Sequence, residues 1–407
     1  MTTLLIGHAP QLLRDHHHPP RSVLLVETPQ TIARRGLYRA PADHAAVAAV
    51  VPVRRLETET VLSALTAFAP DAAVDRVVPG TEAGVLAAAG VARFLSLPGA
   101  GLRAATVFRD KIALRETAVE AGLCQPAWAE VTPATDLRAV CAELGGGGFV
   151  LKPAAAAGGV GVTYFDPAGE PAAAWHETTT AVPPGNGRRR TRYLVEQRLT
   201  GAGVSVQCLV HDGEIVFTAV TDRHRQPGGH PAEIGHQVPG PRGSAQRDRL
   251  TTSMRRLVEA AGLAYGILHG DWILTDQGPA LLGCAARIPG DRIMELLELA
   301  YESPLTAHYL ELMAGNRPTP PRDATRGAAI RYLTADPGTV REVIGATDAG
   351  GLAGVHGLVV DATYGRRIGP TRPAGNRVGY VVTTGPGADD AWDLAGQAAG
   401  LVKIAVR

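Results

Sequence analysis

An apolar strand that delivers a lysine straight into a glycine-rich turn constrains this chain more than any other feature. Phe149-Val150-Leu151-Lys152-Pro153 is followed by four alanines and then by Gly158-Gly159-Val160-Gly161-Val162. Glycines let backbone N–H groups approach phosphate oxygens closely, and the lysine adds a point charge. The spacing is not that of a P-loop, which puts Gly-Lys-Ser/Thr at the end of the loop. Nor is it a dinucleotide fingerprint, which opens a helix directly after the first strand of its domain. Alone, the loop fits a surface turn as well as a phosphate clamp, so its neighbours have to decide.

The chain of 407 residues exceeds what one compact core holds and predicts two to four domains. With 45% apolar and 19% charged residues it reads as soluble and globular. A formal net charge of +1 gives no global electrostatic case for nucleic acid or membrane partners. Cys124, Cys141, Cys208 and Cys284 are scattered without zinc or redox spacing, which predicts a reduced intracellular protein. Met1–Gly7 lacks the basic flank of a signal peptide, and no apolar run reaches membrane-spanning length. A cytoplasmic location is therefore expected.

Short apolar runs at Thr3–Gly7, Ser22–Glu27 and Ala73–Val78 read as buried parallel strands, with Ala-rich helical stretches such as Glu82–Val91 between them. This alternation predicts a small doubly wound domain over residues 1–105. Asp110 to Gly122 reads as a helix with Gly122 at its C-terminal cap. Tyr193–Gln197 reads as a strand. Val204–Val210 and Ile215–Val220 flank Asp212-Gly213, a hairpin signal, and Ile267–Thr275 and Ala280–Cys284 form a second pair. Ile293, Leu296, Leu297 and Ala300 mark an amphipathic helix. Pro318–Arg322 reads as a linker, and Gly/Pro-rich stretches at 226–243 and 345–356 as mobile loops.

Several chemistry-bearing residues then fall in a fixed order. Arg109-Asp110-Lys111 precedes Lys152 and its loop; Val195-Glu196 follows. Next come Glu233-Ile-Gly235-His236, the strand bearing His269 and Asp271, Ala285-Ala286-Arg287-Ile288-Pro289-Gly290-Asp291, and Asn376-Arg377-Val-Gly379-Tyr380-Val381. In this order the set resembles the ATP-grasp superfamily, and in detail its carboxylate–amine ligases, which include the L-amino-acid ligases. The resemblance implies a mixed α/β and α+β fold: a Rossmann-like domain over 1–105, an ATP-grasp domain over 106–315 with a lid at about 120–192, and a C-terminal α+β domain over 316–407. It also implies ATP and Mg2+ as cofactors. Lys111 and Lys152 would contact the phosphates, and Gly158, Gly159, Val160, Gly161 and Val162 would close over them. Val195, Glu196 and neighbouring backbone would meet the adenine. Arg287 would stabilise negative charge in transfer, Glu233, His236 and His269 would lie near the substrate, and Asp271 would ligate the metal.

By the same resemblance the reaction is amide-bond formation. Phosphorylation turns a poor electrophile, a carboxylate, into an acylphosphate that an amine attacks. The partners would be a small carboxylic acid, an amino acid by the family's habit, and an amine. A homodimer and a role in natural-product biosynthesis also fit. The chain departs from the family at three positions. An acidic residue is expected four residues before Arg287 and an Asn two residues further on, where Gly283 and Ala285 stand; a ribose-contacting acid is replaced by Gly203. Either Asp271 gains oxygens from Asp291, Glu295 or water, or the protein binds nucleotide or metabolite without ordinary turnover. Plainer readings also stay open. Glu196 and Asp271 could be solvated strand residues, Arg287 could pair with Asp291 one turn on, and Glu233 and His236 could sit in a flexible loop. His16–His18 could form a surface turn, Arg188–Arg190 and Arg192 a solvated lid loop, and Cys284 a buried strand residue.

Overall fold

The computed structural model describes residues 1–69, 72–133, 135–166, 169, 171–182, 191–226, 233–240, 244–369 and 376–407. The run Arg188–Arg190 falls outside these, as do parts of the stretch 226–243.

Four strands open the chain: β1 (Thr2–Ile6), β2 (Val23–Glu27), β3 (Val47–Pro52) and β4 (Val74–Pro79). They form a parallel sheet in the order β3-β2-β1-β4. Leu4, Ile6, Leu24, Val26, Val51 and Val77 are buried against helices on one face, as both-sided burial of parallel strands demands. The strand β3 was not expected from sequence. Its residues Val-Ala-Ala-Val-Val-Pro lie in an alanine-rich stretch, and alanine's helical preference hides a strand fixed only by its neighbours.

A second, antiparallel sheet has the order β5-β8-β6-β7, from β5 (Trp128–Val131), β6 (Phe149–Pro153), β7 (Thr163–Phe165) and β8 (Tyr193–Gln197). It carries Lys152 on β6 and Glu196 on β8. The third sheet is the largest. Its first strands are β9 (Ala202–His211), β10 (Glu214–Arg225), β11 (Glu233–Val238), β12 (Gly266–Thr275) and β13 (Gly278–Ala285). The remaining strands are β14 (Gly327–Thr334), β15 (Gly338–Ile344), β16 (Val355–Val360), β17 (Arg367–Ile368), β18 (Arg377–Gly385) and β19 (Lys403–Val406). The large sheet runs β13-β12-β9-β10-β11-β14-β18-β16, so C-terminal strands continue the central sheet, while β17-β15-β19 make a small separate one.

Both expected hairpins form. Asp212 and Gly213 have φ of 48° and 78°, the left-handed pair that matches strand twist across a two-residue turn. Two expectations fail. The stretch 226–243 contains β11, which pairs with β10 on one side and β14 on the other. The stretch 345–356 contains the helix Ala346–Gly350 and the start of β16. Backbone groups buried inside a sheet must be paired, and two flanking strands outweigh local glycine content. His16–His18 do lie in a local turn, but His18 is buried, with its Nε2 2.7 Å from the carbonyl of Leu12.

Candidate active site

Lys152 ends β6 inside the protein, and its ammonium lies 2.6 Å from the Glu196 carboxylate on the adjacent strand β8. The other carboxylate oxygen accepts from Arg115 Nε at 2.8 Å. Arg115 and Glu196 side chains are 1% and 2% exposed. Burial alone would raise the Glu196 carboxyl, but Lys152 and Arg115 outweigh it and hold it below the usual range. Arg115 also donates to the carbonyls of Leu281 and Leu282, both at 2.8 Å. One guanidinium thus ties strand β8 of the second sheet to β13 of the large one. The solvated reading of Glu196 is excluded by this burial. Its side chain is committed to Lys152 and Arg115, so any adenine contact falls to backbone of the β8 end, where Val195 is also buried.

Lys111 begins the helix Lys111–Glu120, capped by Asp110, whose carboxylate accepts from the N–H groups of Ile112 and Ala113. The Lys111 ammonium reaches back to the loop after β6, 2.5 Å from the carbonyl of Ala156. Burial, followed by the nearby charge of Lys152, lowers its pKa to about 8. Beyond Ala156 the backbone turns through Gly158, Gly159 and Gly161, with φ of 63°, 73° and 71°. These left-handed angles demand glycine, so the run Gly158–Val162 is a shaped loop rather than a tolerant surface turn. Val160 points to solvent.

Arg287 follows β13. It does not pair with Asp291: its Nε lies 3.4 Å from Glu82 Oε2. The other oxygen of Glu82 lies 3.1 Å from Arg109, which also donates to the carbonyl of Ala155. Glu82 sits just after β4, so the N-terminal sheet reaches the loop and Arg287 through one carboxylate. Sequence reasoning missed Glu82, Arg109's role and Arg115, because each acts across more than 25 residues of chain.

A polar face of the central sheet lies below. Asp271 on β12 stands opposite Gly283 on β13 and Ser205 on β9, and His269 opposite Ala285 and Gln207. Gln207 Nε2 donates to His269 Nδ1 at 3.0 Å, which directs the other ring nitrogen at Asp271, 3.5 Å away. Arg223 on β10 closes on Asp271 at 2.7 Å and also pairs with Glu233. Burial opposes charge on Asp271, yet Arg223 and its cationic neighbours hold its carboxyl low. Glu233, His236 and Asp291 form a further cluster, with His236 Nε2 3.8 and 3.7 Å from the two carboxylates. These are beyond hydrogen-bond length, and both nitrogens of the buried His236 ring lack a hydrogen-bond partner among the described residues. Arg377 holds Asp291 at 3.0 Å. Asp291 and Arg292 both take left-handed backbone, φ 54° and 59°.

The residues present do not fit magnesium where the resemblance implies it. Hard-cation sites need convergent oxygens, and the strand neighbours of Asp271 on that side are Gly283 and Ala285. Nor do Asp291 and Glu295 come to its aid: Asp291 is taken by Arg377, and Glu295 by Arg14 and Arg292. Glu233, His236 and Asp291 are compact enough for an ion, their donor atoms lying within 4.8 Å of one another. Arg223 and Arg377 already neutralise those carboxylates, however.

Two crevices open beside this centre. One of about 930 Å³ lies at the carboxyl ends of β1 to β4 and is lined by Arg34, Arg35, Arg54, Arg55 and Arg109 together with Glu27, Glu57 and Glu59. Another of about 500 Å³ includes Arg14, Asp291, Tyr332 and Tyr380.

Over its whole length the chain superimposes on the L-amino acid ligase from Bacillus licheniformis with a TM-score of 0.79, at 17% identity and covering 99% of that chain. The chain has the ATP-grasp fold. A second ATP-grasp structure, the biotin carboxylase domain of Hydrogenobacter thermophilus 2-oxoglutarate carboxylase in complex with MgADP, ADP and bicarbonate, matches with a TM-score of 0.71 at 14% identity, covering 100% of this chain and 91% of that one. Residues 331–407 match the family model described as L-amino acid ligase C-terminal domain 2. The chain is 27% identical over 306 residues to the uncharacterized protein y4rH of Sinorhizobium fredii, covering 74% of this chain. It spans 62% of that relative's length. No described helix is long and apolar enough to cross a membrane.

Proposed function

We propose that the protein is an ATP-dependent ligase, ADP-forming, that joins a small carboxylic acid to an amine. The observation that carries this reading is the buried Arg115–Glu196–Lys152 triad, which holds a lysine at the mouth of a left-handed glycine loop with Lys111 beside it. The Lys111 ammonium, bonded to the loop carbonyl of Ala156 and in no ion pair with a described residue, is an expensive arrangement without a polyanion to receive. Lys111 and Lys152 bind the phosphates, Gly158 to Val162 cover them, and Arg287 stabilises charge on the transferred group. The γ-phosphoryl group passes to a substrate carboxylate oxygen, ADP leaves, the amine attacks the acyl carbon, and phosphate departs. An amino acid fits the carboxylate role, with His236, whose ring nitrogens have no hydrogen-bond partner among the described residues, beside it. The arginine-lined crevice favours an anionic group on the other substrate. Natural-product biosynthesis is the setting the likeness to L-amino acid ligases supports.

A second reading has its own observation. Gly283 and Ala285 deprive Asp271 of fellow ligands, which favours a protein that binds nucleotide without turnover. Incubation with ATP, amino acids and amine pools separates the two. ADP and phosphate release dependent on a carboxylate–amine pair supports the ligase; nucleotide binding with no release from any pair leaves the second reading. Lys152→Ala should abolish nucleotide binding, and unchanged binding would remove Lys152 from the site.

A further inference from the structure

Arg225 is the unexplained cation of this cleft. It lies on β10 two residues from Arg223, and so on the same face of the strand. Arg223 is fully engaged with Asp271 and Glu233. Arg225 is not. Its Nε is buried without a hydrogen-bond partner, and its guanidinium forms no ion pair with a described residue. Burial and the neighbouring Arg223 oppose its charge, while Glu233, Tyr164 on β7 and Asp271 favour it.

The reason it is free is Gly203. A Cβ at that position would lie 3.6 Å from Arg225 Cζ and 3.8 Å from the Cβ of Arg223. A carboxylate there would pair with Arg225; the glycine leaves the guanidinium in no ion pair with a described residue. The missing acid at Gly203 and the base without an ion pair at Arg225 therefore go together. Where the resemblance implies a metal-binding acid and an Asn, this chain has Gly283 and Ala285. Its one remaining acid, Asp271, is neutralised by Arg223.

We propose that Arg223 and Arg225 replace a divalent cation in this cleft. Arg223 neutralises Asp271, and Arg225 offers its fork of donors to the phosphate chain of a nucleotide, so that nucleotide binding needs no divalent ion. Guanidinium suits this role because it stays charged when buried and meets phosphate oxygens two at a time. The inference rests on the nucleotide-binding reading above.

The test is calorimetric titration of the whole protein with ADP, in EDTA and in excess Mg2+. The expected dissociation constants agree within about threefold, whereas charge-assisted contacts to Arg225 predict a loss of about tenfold or more for Arg225→Gln in EDTA. Arg225→Lys should recover part of it. Gly203→Glu provides a variant that leaves both arginines in place. Its carboxylate should pair with Arg225 and weaken ADP binding in EDTA by a similar factor. Wild-type binding that tightens about tenfold or more with Mg2+ overturns the proposal. So does unaltered affinity in folded Arg225→Gln or Gly203→Glu. Failure of ADP to bind the wild type in either buffer is a different result: it sinks the nucleotide-binding reading itself.

Discussion

Glu196 shows what a single residue does here. It neutralises two buried cations, and neither has another carboxylate within ion-pair distance among the described residues. Removing one partner of a buried pair leaves charge uncompensated, so Glu196→Gln should lower stability by about 3 kcal/mol or more, read from the urea midpoint. It should also free Lys152 and weaken ADP binding; a variant as stable as wild type would show that the triad is solvated. Lys111 makes a pH prediction. Its pKa in the free protein is lowered to about 8, and a bound polyanion favours the protonated form, raising it. Nucleotide affinity should thus be flat below pH 8 and fall above it, with proton uptake on binding visible as a buffer-dependent enthalpy. Lys111→Arg should flatten the profile, and a wild-type profile already flat to pH 9 contradicts the assignment.

At the scale of elements, the glycine loop carries the sharpest expectation. Gly158 and Gly159 have left-handed φ, and an added Cβ at either would meet no atom within 4 Å. Gly159→Val therefore strains backbone without crowding, costing about 1–2 kcal/mol. Because the loop is exposed, it will relax to ordinary angles rather than unfold the domain. The thermal midpoint should barely move, while ADP affinity falls about tenfold or more. Equal losses of both would mean that the loop is structural.

The loop was legible in the sequence because strand, lysine and glycines are contiguous. The hairpins were legible for the same reason: Asp212-Gly213 fixes its own turn. What stayed hidden depends on distance along the chain. Strand β3 is alanine-rich and takes its conformation from β2. Strand β11 carries Glu233 and His236 but looked like a loop, since its pairing partners β10 and β14 lie elsewhere. The same holds within the site. Lys152 announced itself, whereas Arg115, Glu82, Arg223 and Arg225 gain meaning only where separate strands and helices meet. Gly203, Gly283 and Ala285 read as losses; only the sheet shows an arginine beside one of them.

Across the whole molecule, basic side chains gather locally. The net charge is +1, yet Lys111 and Lys152 lie within electrostatic reach of one another, and Arg34, Arg35, Arg54 and Arg55 outnumber Glu27, Glu57 and Glu59 in lining the crevice beside β1 to β4. Arg55 lies 3.7 Å from Glu57, while Arg34 and Arg54 form no ion pair with a described residue. The crevice sits outside the carboxyl ends of parallel strands, the place where open sheets bind ligands. It runs to Arg109, which with Glu82 connects it to Arg287. An anionic substrate held there would lie beside the Arg109–Glu82–Arg287 connection. Reversing charge by Arg34→Glu with Arg54→Glu should raise the KM for an acidic co-substrate about tenfold or more and leave ADP affinity unchanged, since neither residue touches the glycine loop. Rising salt should weaken the acidic co-substrate far more than a neutral analogue, because exposed arginines are screened. Equal KM values for acidic and neutral co-substrates in wild type would assign the crevice no part in selection.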